Sequence, residues 1–193
     1  MKEKEMPLQR LDDMIDAALL KQRRLFVCGS IDMDLAEQVI RKIWYLESLS
    51  PKEEVLVVIS SSGGAVDAGF AIWDQLHMAS FPKTTLVTGL AASMGSVLAL
   101  AAPKERRFAT PMSRFMIHQP ALSSVVQGQA TDLEIQAREI LKTKQQIVAL
   151  YCEATGKSTK EIEKAIDRDK WLTAEEARDF GLISKMVTNY KDI

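Results

Sequence analysis

The chain has 193 residues, 47% of them hydrophobic, and its 25 basic and 26 acidic side chains leave a formal charge of -1. That length suits one domain with a sizeable core, and the balanced charge argues against a nucleic-acid surface, since the basic clusters at 21–24 and 104–107 are short and interleaved with acidic or polar residues. Two cysteines, Cys28 and Cys152, with two histidines exclude a disulfide scaffold and make no metal-ligand cluster, so neither metal nor cofactor is expected.

Residues 1–7 mix acids with bases, unlike a signal or transit peptide, and no apolar run approaches membrane-spanning length. A soluble, cytoplasmic chain with no membrane partner is expected. Residues 1–14 are read as an amino-terminal arm, although apolar residues already recur at helical spacing from Leu8 through Leu19, and 15–193 as the single folded body. A short strand is predicted at 25–28, ended by Gly29. Asp34 with Glu37 has the form of a capping box, opening a helix whose buried face is Leu35, Val39, Ile40, Ile43, Trp44 and Leu46. Trp44 is accordingly placed in the core.

The run at 55–59 is β-branched without polar alternation, as in a central strand covered on both faces, and breaks at the Ser60-Ser-Ser-Gly-Gly turn. A helix follows at 66–78, packing Phe70, Trp73 and Leu76 and carrying His77. Strand 84–88 leads through Gly89 and Ser93 into a buried helix at 97–102; short strands come next at 107–109 and 114–117, around Pro111. After His118, Pro120 turns the chain away from helix, and 120–128 reads as a flexible link. The longest helical pattern, 130–154, intersperses apolar positions with many charges, which suits a projecting arm that meets another subunit. Ser158 with Glu161 and Thr173 with Glu176 mark two closing helices, Gly181 ends the second, and 182–187 closes as a strand. Alternating strands and helices make the class α/β.

Ser93 lies where a strand turns into a helix, beside the unpartnered N–H groups of the first helical turn. A serine hydroxyl becomes a useful nucleophile only when a base takes its proton and a third group holds the base's tautomer. His118, at a strand end, is placed like a site residue; His77, within a helix, is not. Candidates for the orienting acid are Asp132, Asp167, Asp169 and Asp179, of which Asp169 is attractive because Trp171 could shield it. Two sources of oxyanion donors offer themselves, the Met94 amide and the Gly63-Gly64 turn. No Gly-Lys-Ser or Gly-Lys-Thr accompanies that turn, so it carries no phosphate-loop signature.

Four segments, Ala91-Ala-Ser-Met-Gly, Phe115-Met-Ile-His-Gln-Pro, the run at 127–141 and Arg168-Asp-Lys-Trp-Leu-Thr-Ala-Glu-Glu-Ala, resemble the proteolytic subunit family of the Clp protease, ClpP, in the same order and across about 19–187. The resemblance implies Ser93 as nucleophile, His118 as general base, Asp169 as orienting acid, and the amides of Gly64 and Met94 as the oxyanion hole. It implies a crotonase-like fold of stacked strand-strand-helix units with the 130–154 helix as a handle. It further implies a homo-oligomer of two seven-membered rings enclosing the active sites, with unfolded polypeptides delivered by a partner AAA+ unfoldase of the ClpX, ClpA or ClpC type. Asp167 and Arg168 match the positions that couple ring contacts to the triad.

The chain departs from the family pattern at several places. Its Ser60-Ser-Ser-Gly-Gly turn keeps both glycines but lacks the usual proline. Leu56 and Val58 are aliphatic at positions often tyrosine, which line the pocket that receives ATPase loops, while Phe108 retains an aromatic there. No recognisable axial pore loop precedes Met14, and the stretch 121–126 departs from the usual handle entry. Such departures would suit a chain working beside a second ClpP-type subunit. The alternative to a serine endopeptidase is a mainly structural or regulatory subunit of a mixed barrel; a crotonase-type acyl-CoA enzyme would leave the Ser, His and Asp set unexplained.

Overall fold

The computed structural model describes residues 8–121 and 127–193. The arm at 1–7, and the part of the 120–128 link and handle entry that falls on 122–126, lie outside the described residues. Helix α1 (Leu8–Lys21) precedes β1 (Arg24–Ile31), α2 (Met33–Leu49), β2 (Val55–Gly64), α3 (Val66–Met78) and β3 (Lys83–Ala92). Then come the short α4 (Met94–Leu98), β4 (Arg107–Ala109), β5 (Arg114–Ile117) and the long α5 (Ala130–Thr155). Helix α6 (Thr159–Ile166), β6 (Lys170–Thr173), α7 (Ala174–Phe180) and β7 (Lys185–Met186) complete the α/β architecture.

The sheet runs β1-β2-β3-β4-β7 with every neighbour parallel, as expected where helices connect successive strands. Strand β3 belongs to two pairings. Its residues 85–87 pair with β4, whereas Leu90, Ala91 and Ala92, beyond Gly89, pair with β5, and β5 in turn pairs antiparallel with β6. The sheet therefore splits along β3, and the carboxyl ends of β3 and β5 come to lie side by side.

The core lies between the sheet and α2, α3 and α4. Val55, Val57 and Ile59 of β2 are buried, as are Ala36, Val39, Ile43 and Leu46 of α2 and Ala68, Ile72 and Leu76 of α3. Each buried Val, Leu or Ile of this seam contributes on the order of 2 kcal/mol through the surface it removes from water. Phe70 and Trp73 are only partly buried at its margin. A second, smaller cluster joins Leu86, Phe108 and Val187, with Leu56 and the terminal Ile193 packed against it. Phe108 is thus interior in the chain, beneath the cations of Arg106 and Lys185, which stand over its ring.

Several local expectations are corrected. The cap of α2 is Asp32, whose Oδ1 accepts from the Leu35 amide at 2.8 Å; Asp34 lies two residues too far in, within the first turn, and serves only as an acid near the positive helix end. Trp44 is 66% exposed and donates Nε1–H to Gln75 Oε1, because the buried stripe follows 36, 39, 43 and 46 and leaves 44 about 100° to one side. Gly29 does not end β1: it forms a bulge at φ 85°, after which Ser30 and Ile31 pair with Gly63 and Gly64. Strands β2 and β3 are likewise longer than predicted, β7 is shorter than the predicted 182–187, and the helix after Ser93 begins at Met94 and passes into a 3-10 turn at Ala99–Ala101. The caps at Ser158 and Thr173 are both formed, and Gly181 closes α7 in a left-handed conformation.

Candidate active site

Ser93 stands between β3 and α4 at φ 52°, ψ -124°; among the described residues only Arg23 is another non-glycine with positive φ. A β-carbon makes that conformation costly, by on the order of 1–3 kcal/mol, and the surrounding structure imposes it. Ser93 N–H donates to Met116 O at 2.9 Å, continuing the β3–β5 pairing, while Ser93 O receives the first helical bonds from Ser96 and Val97. The side chain is thereby turned out of the strand toward His118.

His118 follows β5 directly, and the next residue is held by Gln119 N–H to Ile166 O at 2.7 Å. Its Nε2 lies 2.7 Å from Ser93 Oγ, and its Nδ1 lies 3.1 Å from Asp169 Oδ1. The register explains the third partner. Ile117 pairs with Lys170 in the antiparallel β5–β6 ladder, so one step further His118 comes opposite Asp169. Of the four candidate acids, Asp169 is the one in contact with the imidazole. Asp132 bonds the Gln129 amide at the start of α5, Asp179 pairs with Arg178, and Asp167 pairs with Arg168.

The His118 side chain is 26% exposed, whereas that of Asp169 is 62% exposed. Trp171 leaves the carboxylate 62% exposed within the chain, and its ring lies under the Arg114 guanidinium, 4.5 Å from centroid to Cζ.

A cavity of about 240 Å³ opens beside Ser93 and is lined by Gly64, Met94, His118, Val97, Ile147 and Tyr151, among others. Gly64 is required where it stands, because a Cβ there would lie 2.1 Å from Ile31 O. The turn before it is fastened by Ser61, whose hydroxyl donates to Gly29 O at 2.6 Å and accepts from Gly63 N–H at 3.0 Å. By sequence the serines at 60–62 mark only a turn; the signal for this fastening is a serine two residues before a glycine pair.

His77 stacks on Trp73 and bonds Trp73 O on the surface of α3, away from Ser93. Cys28 is exposed, and partial burial pushes its thiol up despite a bond to the Ser60 backbone, the opposite of what an activated thiolate needs. Arg168 is 85% exposed, with Asp167 Oδ2 at 3.3 Å. Among the described residues no group of three His, Cys, Asp or Glu is placed to hold a metal ion, and no helix is long and apolar enough to cross a membrane.

The chain is similar in sequence to known proteins. The family described as Clp protease matches residues 7–190. The ATP-dependent Clp protease proteolytic subunit 1 of Protochlamydia amoebophila is 56% identical over 184 residues, covering 95% of this chain and 89% of that protein. The protein of the same name from Chlamydia muridarum is 54% identical over 186 residues, covering 96% and 97%. The ATP-dependent Clp protease proteolytic subunit 2 of Treponema denticola is 42% identical over 182 residues, covering 94% and 90%. With a family match across almost its whole length and relatives more than half identical, the chain belongs to the Clp protease family, the ClpP serine peptidases, and is a peptide-bond hydrolase of crotonase-like α/β fold.

Proposed function

We propose that this chain is a serine endopeptidase in which Ser93 Oγ attacks the peptide carbonyl, His118 Nε2 takes its proton, and Asp169 accepts the Nδ1–H bond that holds the imidazole tautomer. The amides of Gly64 and Met94 receive the oxyanion of the tetrahedral intermediate. His118 then returns the proton to the leaving amine, and water repeats the sequence to release the acyl group. The single observation that carries this reading is the 2.7 Å contact between Ser93 Oγ and His118 Nε2, with the strained Ser93 backbone aiming the hydroxyl at the base.

The substrate reading is unfolded polypeptide cut to short peptides inside a barrel of two heptameric rings. The cut surfaces of the isolated chain support assembly: α5 exposes Leu133, Ile135 and Leu141, and the edge of α2 and α3 exposes Trp44, Tyr45 and Met78. An AAA+ unfoldase is the proposed energy source, since relatives carry the name ATP-dependent while this sequence has no phosphate-loop motif. Relatives named subunit 1 and subunit 2 are in keeping with a mixed barrel. A cytoplasmic location, and the division into an arm at 1–14 and a body at 15–193, belong to the same reading.

Covalent labelling of the assembled protein by a fluorophosphonate probe tests the mechanism. Labelling of the wild type that vanishes in Ser93→Ala is expected. Labelling that persists in the variant would remove Ser93 from its role.

A further inference from the structure

Among the described residues Tyr151 is the largest side chain buried almost completely, 1% exposed, and it comes from the last turns of α5. Its hydroxyl ends 2.7 Å from Ser96 Oγ, and Ser96 Oγ in turn donates to Ser93 O at 2.6 Å. The Ser96 hydroxyl has one proton, and that proton goes to the carbonyl, so Tyr151 must be the donor in the first bond. Burial pushes the Tyr151 hydroxyl above the usual phenol range, which keeps that donor proton in place at any working pH. The order is therefore Tyr151 O–H to Ser96 Oγ–H to Ser93 O=C.

The acceptor at the end of this chain belongs to the same peptide unit as the Met94 N–H. A trans peptide is planar, with its C=O and N–H pointing in opposite directions. Whatever pins the Ser93 oxygen toward the interior also aims the Met94 N–H outward. The Ser93 oxygen accepts from the Ser96 amide at 2.9 Å, from the Val97 amide at 3.3 Å and from the Ser96 hydroxyl. Helix α4 spans only five residues, too short to hold its first turn by its own ladder. Acting through Ser96, the Tyr151 hydroxyl supplies an anchor from a different element, 55 residues away in the chain.

We propose that Tyr151 and Ser96 form a positioning clamp that fixes the Ser93–Met94 peptide plane and so presents the Met94 N–H to the oxyanion, tying the end of α5 to the nucleophile turn. The clamp rests on the reading of Ser93 as nucleophile and of Met94 N–H as oxyanion donor. Neither Tyr151 nor Ser96 gives or takes a proton in the reaction. Their contribution exists only when charge develops on the substrate oxygen, so it belongs in kcat and leaves KM alone. Loss of an oxyanion donor outright costs roughly 10²- to 10³-fold; a misdirected donor retains part of its effect, so about a 10-fold loss is expected.

The test compares wild type, Ser93→Ala, Tyr151→Phe, Ser96→Ala and the Tyr151→Phe/Ser96→Ala double variant as assembled particles. It reads fluorophosphonate labelling rate, kcat and KM for a fluorogenic peptide, and the melting transition. Tyr151→Phe keeps the ring and removes the hydroxyl; Ser96→Ala breaks the same chain from the other side and carries the test if the Phe variant does not fold. Expected are a fall in kcat and labelling rate of roughly 10-fold in each single variant, KM within about twofold, and no further loss in the double variant, since both act through one bond chain. A purely structural role would lower the melting transition and leave kcat unchanged below it. Unchanged kcat in folded single variants, loss confined to KM, or losses that multiply in the double variant each overturn the clamp. A wild type that is not labelled at all overturns the nucleophile reading and the clamp with it, whereas a labelled wild type with an equally fast Tyr151→Phe variant removes the clamp alone.

Discussion

Gly63 and Ser93 approach so closely that a Cβ built on Gly63 would lie 2.7 Å from Ser93 Cβ and 2.7 Å from Ala92 O. The carboxyl ends of β2 and β3 meet at this point, and only a residue without a side chain lets them close. The candidate nucleophile is thus held in place by an absence on the neighbouring strand.

Gly63→Ala should therefore separate the two strand ends. Gly63 also has φ 88°, where an L side chain is disfavoured. Strain and overlap together should cost about 3 kcal/mol of stability. Peptide cleavage should fall more than 10-fold at temperatures where the variant remains folded. Equilibrium denaturation and peptide turnover, measured together, check this; wild-type values in both would show that the strands have room to spare.

Asp169→Asn should preserve shape while reversing the bond to His118 Nδ1, which would then be satisfied by the wrong tautomer. A fall in kcat between roughly 10²- and 10⁴-fold is expected, with native particle mass and melting little altered. Steady-state kinetics on a fluorogenic peptide decide it. Turnover within threefold of wild type would mean that another group orients the histidine.

Glu54 offers a pH test remote from the site. Partial burial alone would raise its carboxyl, but hydrogen bonds from Arg106 and Thr84 and the Arg106 charge outweigh burial and leave it below its ordinary value of 4.5. A depressed carboxyl stabilises the fold above its unfolded-state value, and that stability is lost as pH falls through the folded-state value. Because both Glu54 and Arg106 are 41% exposed, solvent screening limits the effect to about 0.5 kcal/mol. Glu54→Gln should melt slightly lower than wild type at pH 7, and the two should converge as pH falls through the depressed folded-state value of Glu54. A difference that persists into acid would assign the loss to packing.

Arg23 closes the turn between α1 and β1 at φ 58° and spends its guanidinium on four backbone carbonyls: Leu46 at 3.2 Å, Ser50 at 2.8 Å, Glu53 at 3.0 Å and Glu54 at 3.3 Å. An ammonium cannot reproduce that planar fork. Arg23→Lys should cost about 2–3 kcal/mol, since buried carbonyls lose charged donors. Urea denaturation measures it, and a change under 0.5 kcal/mol would show that water replaces the fork without penalty.

Features closed within a few residues were legible in the sequence. The caps at Ser158 and Thr173 need only their own helix's first turn, and the apolar run of β2 marks it as a strand, although only Val55, Val57 and Ile59 are fully buried while Leu56 and Val58 on the other face are half-buried. The α/β class, Ser93 at a strand-to-helix turn and His118 at a strand end follow from such local patterns. Where a short-range rule has two solutions, sequence does not decide between them: Asp32 and Asp34 both fit a cap, and Trp44 fits either side of a helix stripe.

The sequence by itself determined the chain's class, most of its helices and the residue types from which a nucleophile and base could be drawn. Only the tertiary structure decided which carboxylate meets the base, because Asp169 lies 51 residues from His118 and reaches it through the β5–β6 register. It alone brought Tyr151 to Ser96, left Asp169 exposed, and made Gly63 and Gly64 indispensable through the close approach of Ser93 and Ile31. The physical reason is one of range: caps and periodicity report forces within a turn or two of chain, whereas register, strand splitting and contact between distant elements are settled by packing the whole core at once.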